Sequence, residues 1–395
     1  MIDITVVLTE NRLGIHALQN TNKLGKFKVH EVLSKLYFLP PYYLVGTSLK
    51  KPLLYVWNLS QDSSVQKYVL PGLALCIAAS PCGQYLAAGC DNNIKFWHLP
   101  TGQLVNTVSN HYQKVTCLKW SHDGRNVISG GHDNTVNVWD FSKIISEPST
   151  STTLYTFTNH SMPVSDIYCG YGGFKSRLFT SGLDNTCNIY EMSTGKLIVT
   201  LEFPAPIARI LVNKTESCVY AVSVSTDVYR VSLMSPPDND VSKQMKIFIK
   251  CANKISSCCL TDDDASILLG TSNGDVFKYS ANSGQILPYT FKNTSADDLI
   301  NITLPTYKRN DKPQQFPFQL PLQRTVTGVM DNCTISLNQA LETTIISDCD
   351  FLSLVKEAVA EDQGDNVAEL RAQAGELGGL SEQLIKFATE KLIGS

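Results

Sequence analysis

The chain has 395 residues, 33 Lys and Arg against 36 Asp and Glu, a net charge of −3, and a hydrophobic fraction of 43%. That hydrophobic content supports a large core and excludes global disorder, and the charge balance excludes a protein whose main affinity comes from neutralising phosphates. No stretch approaches 18 apolar residues, so no membrane-spanning helix is expected.

The N-terminal MIDITVVLTENR has no basic run before its apolar residues. It reads as a strand rather than a signal peptide. Three strand-like pieces (ITVVLTE, GIHALQN and GKFKVH) fill the first 30 residues, one short of a four-stranded sheet. Residues 31–70 then supply VLSKLYFL, YYLVGTS and LLYVWNL, and residues 73–110 a similar set with Asp91-Asn92 at a tight turn. The clearest stretch is His111 to Asp140. VTCLKWS, NVISGG and TVNVWDF read as strands over 115–121, 126–131 and 135–141, separated by His122-Asp123-Gly124 and His132-Asp133-Asn134. Residues 163–203 repeat the scheme, with Leu183-Asp184-Asn185 at the same corner and CGYGGFKS as a turn between the first two strands. Residues 205–250 and 255–293 repeat it with fewer motif residues.

An aromatic anchor recurs at Trp57, Trp97, Trp139, Tyr190, Tyr229 and Tyr279. The spacing of about 40 to 50 residues, with these turns, resembles the WD repeat, in which each repeat is one four-stranded blade of a β-propeller. Six anchors predict six blades. A seventh is expected from the N-terminal strands together with LINITLP (299–305), because strands from both ends would close the ring without a free sheet edge. A six-bladed ring with those strands packed elsewhere is the rival arrangement. The expected fold is therefore all-β, a seven-bladed WD-repeat β-propeller over residues 1–305, with a C-terminal α-helical extension. The resemblance also implies that His111, Ser129, Asp133 and Trp139 form the family's buried hydrogen-bond tetrad. That is a structural set, since an unpaired buried carboxylate costs several kcal/mol and must find partners.

After residue 305 the composition changes. Residues 306–345 begin TYKRNDKPQQFPFQLPLQRTVT, where Pro313, Pro317 and Pro321 forbid a regular helix and Phe316, Phe318, Leu320 and Leu322 alternate. This predicts an extended strap over the propeller or a docking segment. Residues 346–395 are helical by pattern. Phe351, Leu354, Val355 and Ala358 fall on one face, and Leu370, Leu377 and Leu384 continue an apolar stripe that must bury against something. A helical tail for self-association or partner binding is expected, although Gly378-Gly379 weakens it by about 1 kcal/mol per glycine.

His111-Tyr112-Gln113 and the segment carrying His160, Pro163, Val164, Asp166, Cys169, Gly170, Gly172 and Gly173 resemble a more specific family. This is the involved-in-processing-of-ITS family, the WD-repeat subunit of the complex that processes internal transcribed spacer 2 in pre-60S ribosomes. The resemblance runs from about residue 31 through the strap to the tail element Leu384 and Phe387. It departs at Gly375, Gly378 and Gly379, where the family has a more regular coiled coil. The resemblance implies a non-catalytic scaffold in the nucleus, in nucleolus and nucleoplasm. Its implied partners are a helical-repeat scaffold subunit, a third helical subunit, the pre-60S particle and a midasin-type AAA+ ATPase. It also implies a homodimer through the C-terminal helix, with Leu370, Leu377, Leu384 and Phe387 as contacts.

No Gly-rich phosphate loop opens a helix and no nucleophile sits on a strand–helix elbow, so no enzyme, catalytic residue or cofactor is expected. Twelve cysteines include no CxxC pair, which argues against a metal site and for buried thiols in a reducing compartment, cytosolic or nuclear. Direct RNA contact through one face stays open. A generic WD-repeat adaptor, such as a ubiquitin-ligase substrate receptor, is the alternative on the same fold.

Overall fold

The computed structural model describes residues 2–9, 12–17, 23–28, 33–39, 43–59, 65–146, 153–233, 247–273, 275–291 and 298–304. The chain divides into two compact units, Met1–Asp331 and Asn332–Ser395. The strap over 306–345 and the helical tail over 346–395 lie outside the described residues.

The described part of the first unit is an all-β propeller. Its strands form seven four-stranded antiparallel sheets. Six are blades built from consecutive strands, here called a to d from the axis outward. Their inner strands a are Leu33–Leu39, Ala74–Ala79, Val115–Trp120, Val164–Cys169, Ile207–Val212 and Ile255–Leu260. In the remaining sheet, Asp298–Leu304 pairs with Ile2–Thr9, and Arg12–Ala17 and Lys23–Lys28 follow outward. Inner strands contact their neighbours in sequence order, and Asp298–Leu304 touches both Ile255–Leu260 and Leu33–Leu39.

Strands form here because Val, Ile, Leu and aromatic residues alternate with polar ones, while short turns rich in Asp, Asn and Gly reverse the chain. Asp91, Asn134 and Asn185 all adopt φ between 54° and 66° at b–c turns, a left-handed conformation that Asp and Asn tolerate best after Gly. Core residues lie between blades rather than within one. Phe96, Val115, Trp120, Trp139 and Phe141 form one such layer across the second and third blades. Phe157 of the third blade stacks on Tyr190 of the fourth at 4.0 Å. Strand a of blades two to six starts with the same register shift, for example between Val115 and Cys117. In the third blade the shift lets Thr116 Oγ1 donate to the Val164 carbonyl of the next blade at 2.6 Å.

Two expectations need correction. The strand expected over 135–141 ends at Asp140, and Phe141–Ser146 is a short helix whose Phe141 and Ile144 are buried. In the fifth blade, pairing places Val231 opposite Val219, as Trp139 lies opposite Val127. The anchor position therefore belongs to Val231, and Tyr229 sits two residues earlier on the same face. Both are buried in one cluster, so the aromatic moved along the strand without leaving the core.

Candidate functional site: buried tetrads, two loop faces and an axial cavity

The structure brings His111, Ser129, Asp133 and Trp139 together. Asp133 lies in the b–c turn of the third blade, His111 precedes strand a, Ser129 is on strand b and Trp139 on strand c. His111 Nδ1 lies 3.0 Å from Asp133 Oδ2, and His111 Nε2 lies 2.8 Å from Ser129 Oγ. The Trp139 indole N–H donates to Ser129 Oγ at 3.0 Å. A carboxylate only accepts, so the imidazole proton sits on Nδ1 and Nε2 accepts from the Ser129 hydroxyl. Asp133 also accepts from the Tyr112 and Thr135 backbone N–H groups and from the Thr135 hydroxyl. Burial pushes the Asp133 carboxyl up, but His111 and these donors outweigh it and hold the group below its usual range. Burial pushes His111 below its usual value, against the pull of Asp133.

The fourth blade holds a second set that the sequence reading did not assemble. His160 Nδ1 lies 3.0 Å from Asp184 Oδ2 and Nε2 lies 2.9 Å from Thr180 Oγ1. Ser161 N–H and Thr186 cap the carboxylate as Tyr112 and Thr135 do in the third blade. Tyr190 stands at the tryptophan position, and its hydroxyl donates to Asn159 Oδ1 instead. The signal was present: His160 precedes Asp184 by 24 residues, close to the 22 between His111 and Asp133. In both blades a glycine is required beside the pair. A Cβ on Gly131 would come within 2.4 Å of Asp133 Oδ1, and one on Gly182 within 2.6 Å of Asp184 Oδ1.

A Ser–His–Asp row at hydrogen-bond distances is also the layout of a nucleophilic triad. Here Ser129 is fully buried and its oxygen already receives the Trp139 indole. No substrate carbonyl can reach it. In the first blade Gly46 stands where Ser129 does in the third, by the same pairing, and Trp57 Nε1 is buried without a hydrogen-bond partner. Among the described residues, no group of three or more His, Cys, Asp and Glu could hold a metal, and no helix is long and apolar enough to cross a membrane.

Two loop faces remain. The tetrad-bearing face, formed by d–a loops and b–c turns, exposes Leu49, Leu73, Tyr112, Met162 and Val224, with Tyr112 91% exposed. Backbone hydrogen bonds tie these loops together, within the second blade from Asp91 N–H to the Leu73 carbonyl and from the third blade to the second from Val115 N–H to the Asp91 carbonyl. The opposite face carries the a–b turns. On that side a cavity of about 670 Å³ opens along the axis. Of the residues expected in the tail, Leu370, Leu377, Leu384 and Phe387 lie outside the described residues.

Comparison with known proteins agrees with this architecture. The model of the WD domain, G-beta repeat family matches residues 66–98 and 102–140. The chain is 27% identical over 383 residues to WD repeat-containing protein 18 of Danio rerio, covering 89% of this chain and 88% of that protein. It is 30% identical over 248 residues to the Homo sapiens protein of the same name, covering 60% of this chain and 56% of that one. It is 26% identical over 285 residues to the pre-rRNA-processing protein crb3/ipi3 of Schizosaccharomyces pombe, covering 62% and 64%. Against the human and fission-yeast relatives the alignment therefore spans less than two thirds of their length. Among solved structures, the computationally designed Ika8 protein aligns with a TM-score of 0.55 at 17% identity, covering 74% of this chain and 85% of that one. That likeness concerns the fold alone.

Proposed function

We infer that this chain, which belongs with the WD-repeat proteins named WD repeat-containing protein 18 and pre-rRNA-processing protein crb3/ipi3, is a non-catalytic scaffold of ribosome biogenesis. The observation that carries the reading is the alignment with those relatives, which for the zebrafish protein runs across 89% of this chain. The physics agrees with it. Both Ser/Thr–His–Asp sets are spent on holding loops, and what remains outside is a disc with two loop faces. A rigid disc offers surfaces rather than chemistry.

The proposal has finer parts. The seventh sheet closes a seven-bladed ring, and the chain acts in the nucleus within a complex that processes pre-rRNA spacer in pre-60S particles. Its partners are a helical-repeat scaffold subunit and a third helical subunit, and the assembly helps recruit a midasin-type AAA+ ATPase. Two copies pair through Leu370, Leu377, Leu384 and Phe387. Losing one buried leucine costs about 2–5 kcal/mol, enough to separate a marginal helix pair.

The test is affinity purification of the intact chain beside a version ending at residue 345, with mass spectrometry for partners and light scattering for copy number. Pre-60S factors and two copies are expected with the intact chain, and one copy with the shortened one. Absence of every ribosome-assembly factor from the intact chain would end the scaffold reading. Two copies persisting on truncation would end only the helical pairing.

A further inference from the structure

We propose that the axial cavity is a binding site for the chain's own Pro- and Phe-rich segment, residues 306–322, anchored by Lys308 and Arg309 against the acidic turn Asp262–Asp264. The occupant is thus a peptide in cis. The inference is independent of the ribosome-assembly reading.

The cavity has a definite orientation. It is lined by inner strands, through residues such as Leu36, Ile77, Leu118, Ile167 and Leu260. It also takes in residues at the a–b ends of the blades, including Ser80, His122, Tyr171, Lys214 and Asp262. Among the described residues, none of the tetrad-bearing loops contributes. The cavity therefore opens on the a–b face.

The chain leaves the last described strand on that same face. Asp298–Leu304 is the innermost strand of its sheet, and Leu304 pairs with Ile2, the first residue of the strand beside it. Leu304 thus occupies the place where every other blade begins its a–b turn. Leu304 therefore ends on the face where the cavity opens. Nothing has to cross the molecule to reach it.

Charge supplies a second, separate argument. The neighbouring inner strand is Ile255–Leu260, which touches Asp298–Leu304, and its a–b turn carries Asp262, Asp263 and Asp264 in a row. Lys214 is the cation already bound there. Its backbone N–H donates to Asp264 Oδ2 at 2.7 Å and its ammonium to the Asp262 carbonyl. Lys278 also acts on Asp263, so three carboxylates stand against two ammonium groups and the turn keeps a net negative charge. Lys308 and Arg309 follow Leu304 by four and five residues, a reach of roughly 13–18 Å when extended. The strand they follow touches the blade that carries this turn.

The rest of the segment suits the cavity. Phe316, Phe318, Leu320 and Leu322 share one side of an extended chain, and Pro313, Pro317 and Pro321 fix φ and reduce the entropy lost on docking. The rim offers a fitting aromatic pair: His122 and Tyr171, from adjacent blades, meet edge to face at 4.4 Å, and Tyr171 is 45% exposed. Proline and phenylalanine rings pack well on such edges.

The experiment uses the full chain with a photoreactive benzoylphenylalanine at Phe316 or, separately, at Phe318. Irradiation and peptide mapping locate the partners. Crosslinks within one chain to His122, Tyr171, Leu211, Lys214 or Leu260 are expected. The double change Lys308→Glu and Arg309→Glu should lower their yield several-fold, and adding Asp262→Lys should restore it. Circular dichroism confirms that each variant is folded. Crosslinks to the Leu73 and Tyr112 face, to outer strands, or only between two copies would overturn the proposal, as would none at all.

Discussion

At the scale of single residues, the same three side chains can be a reactive centre or a strut, and access decides which. The Ser129 hydroxyl donates a hydrogen bond to His111 Nε2 and accepts one from the Trp139 indole, so three elements of one blade are held by one row of bonds. Ser129→Ala removes both bonds and leaves the Trp139 indole and His111 Nε2 buried with fewer partners. Orphaned buried groups cost about 1–3 kcal/mol each. The midpoint of urea unfolding should fall accordingly, and an unchanged midpoint would show that the row carries no stability. Acid should act on the same row in two steps. His111 is held below its ordinary value, so from about pH 6.5 downward the unfolded chain takes up a proton that the folded chain refuses, and stability declines. Asp133 is also held low, so its contribution is complete above about pH 4 and is lost as the pH falls further. Both have the same sign. Urea titrations at pH 8, 6, 5 and 4 should show a steeper loss in the native chain than in His111→Asn. Equal slopes would move the pH dependence elsewhere.

At the scale of elements, the strands were legible because their signal is long and repeated. Alternation and short polar turns place each blade independently of the anchors, and Asp-Asn corners mark the second, third and fourth. What the sequence blurred was position within a strand. Tyr229 and Val231 sit two apart on one face, so a search for aromatic anchors finds the tyrosine although pairing gives its place to valine. The second tetrad was missed because Thr180 and Tyr190 replace the Ser and Trp that draw the eye. The helix Phe141–Ser146 was missed because it is shorter than two turns, too short for a period to show. It is nonetheless well fixed. Asp140 Oδ1 accepts from the Ser142 N–H and hydroxyl, Asn106 Nδ2 donates to the Ile144 carbonyl, and Ile144 is 1% exposed. Ile144→Ala should therefore cost about 2–5 kcal/mol, as at any closed core site. A cost below 0.5 kcal/mol in chemical denaturation would mean that the helix is only a connector.

At the scale of the whole molecule, the decisive contact joins residues about 300 positions apart. Ile2–Thr9 forms a continuous ladder with Asp298–Leu304, so the ends of the propeller sequence share one sheet. Three N-terminal strands with no fourth nearby made this pairing legible. An open end would leave a row of unpaired backbone groups along Ile2–Thr9, a template for another chain. A protein ending at residue 297 lacks the partner strand, and one ending at residue 345 retains it. The first should unfold at lower temperature, lose cooperativity and associate with concentration, while the second should match the intact propeller. Because the pairing is so distant in sequence, its closure should also be slow, and the shorter protein should refold without that slow phase. If both proteins melt alike, the ladder between the two ends does not hold the ring together, and the stability of the fold resides in the six contiguous blades.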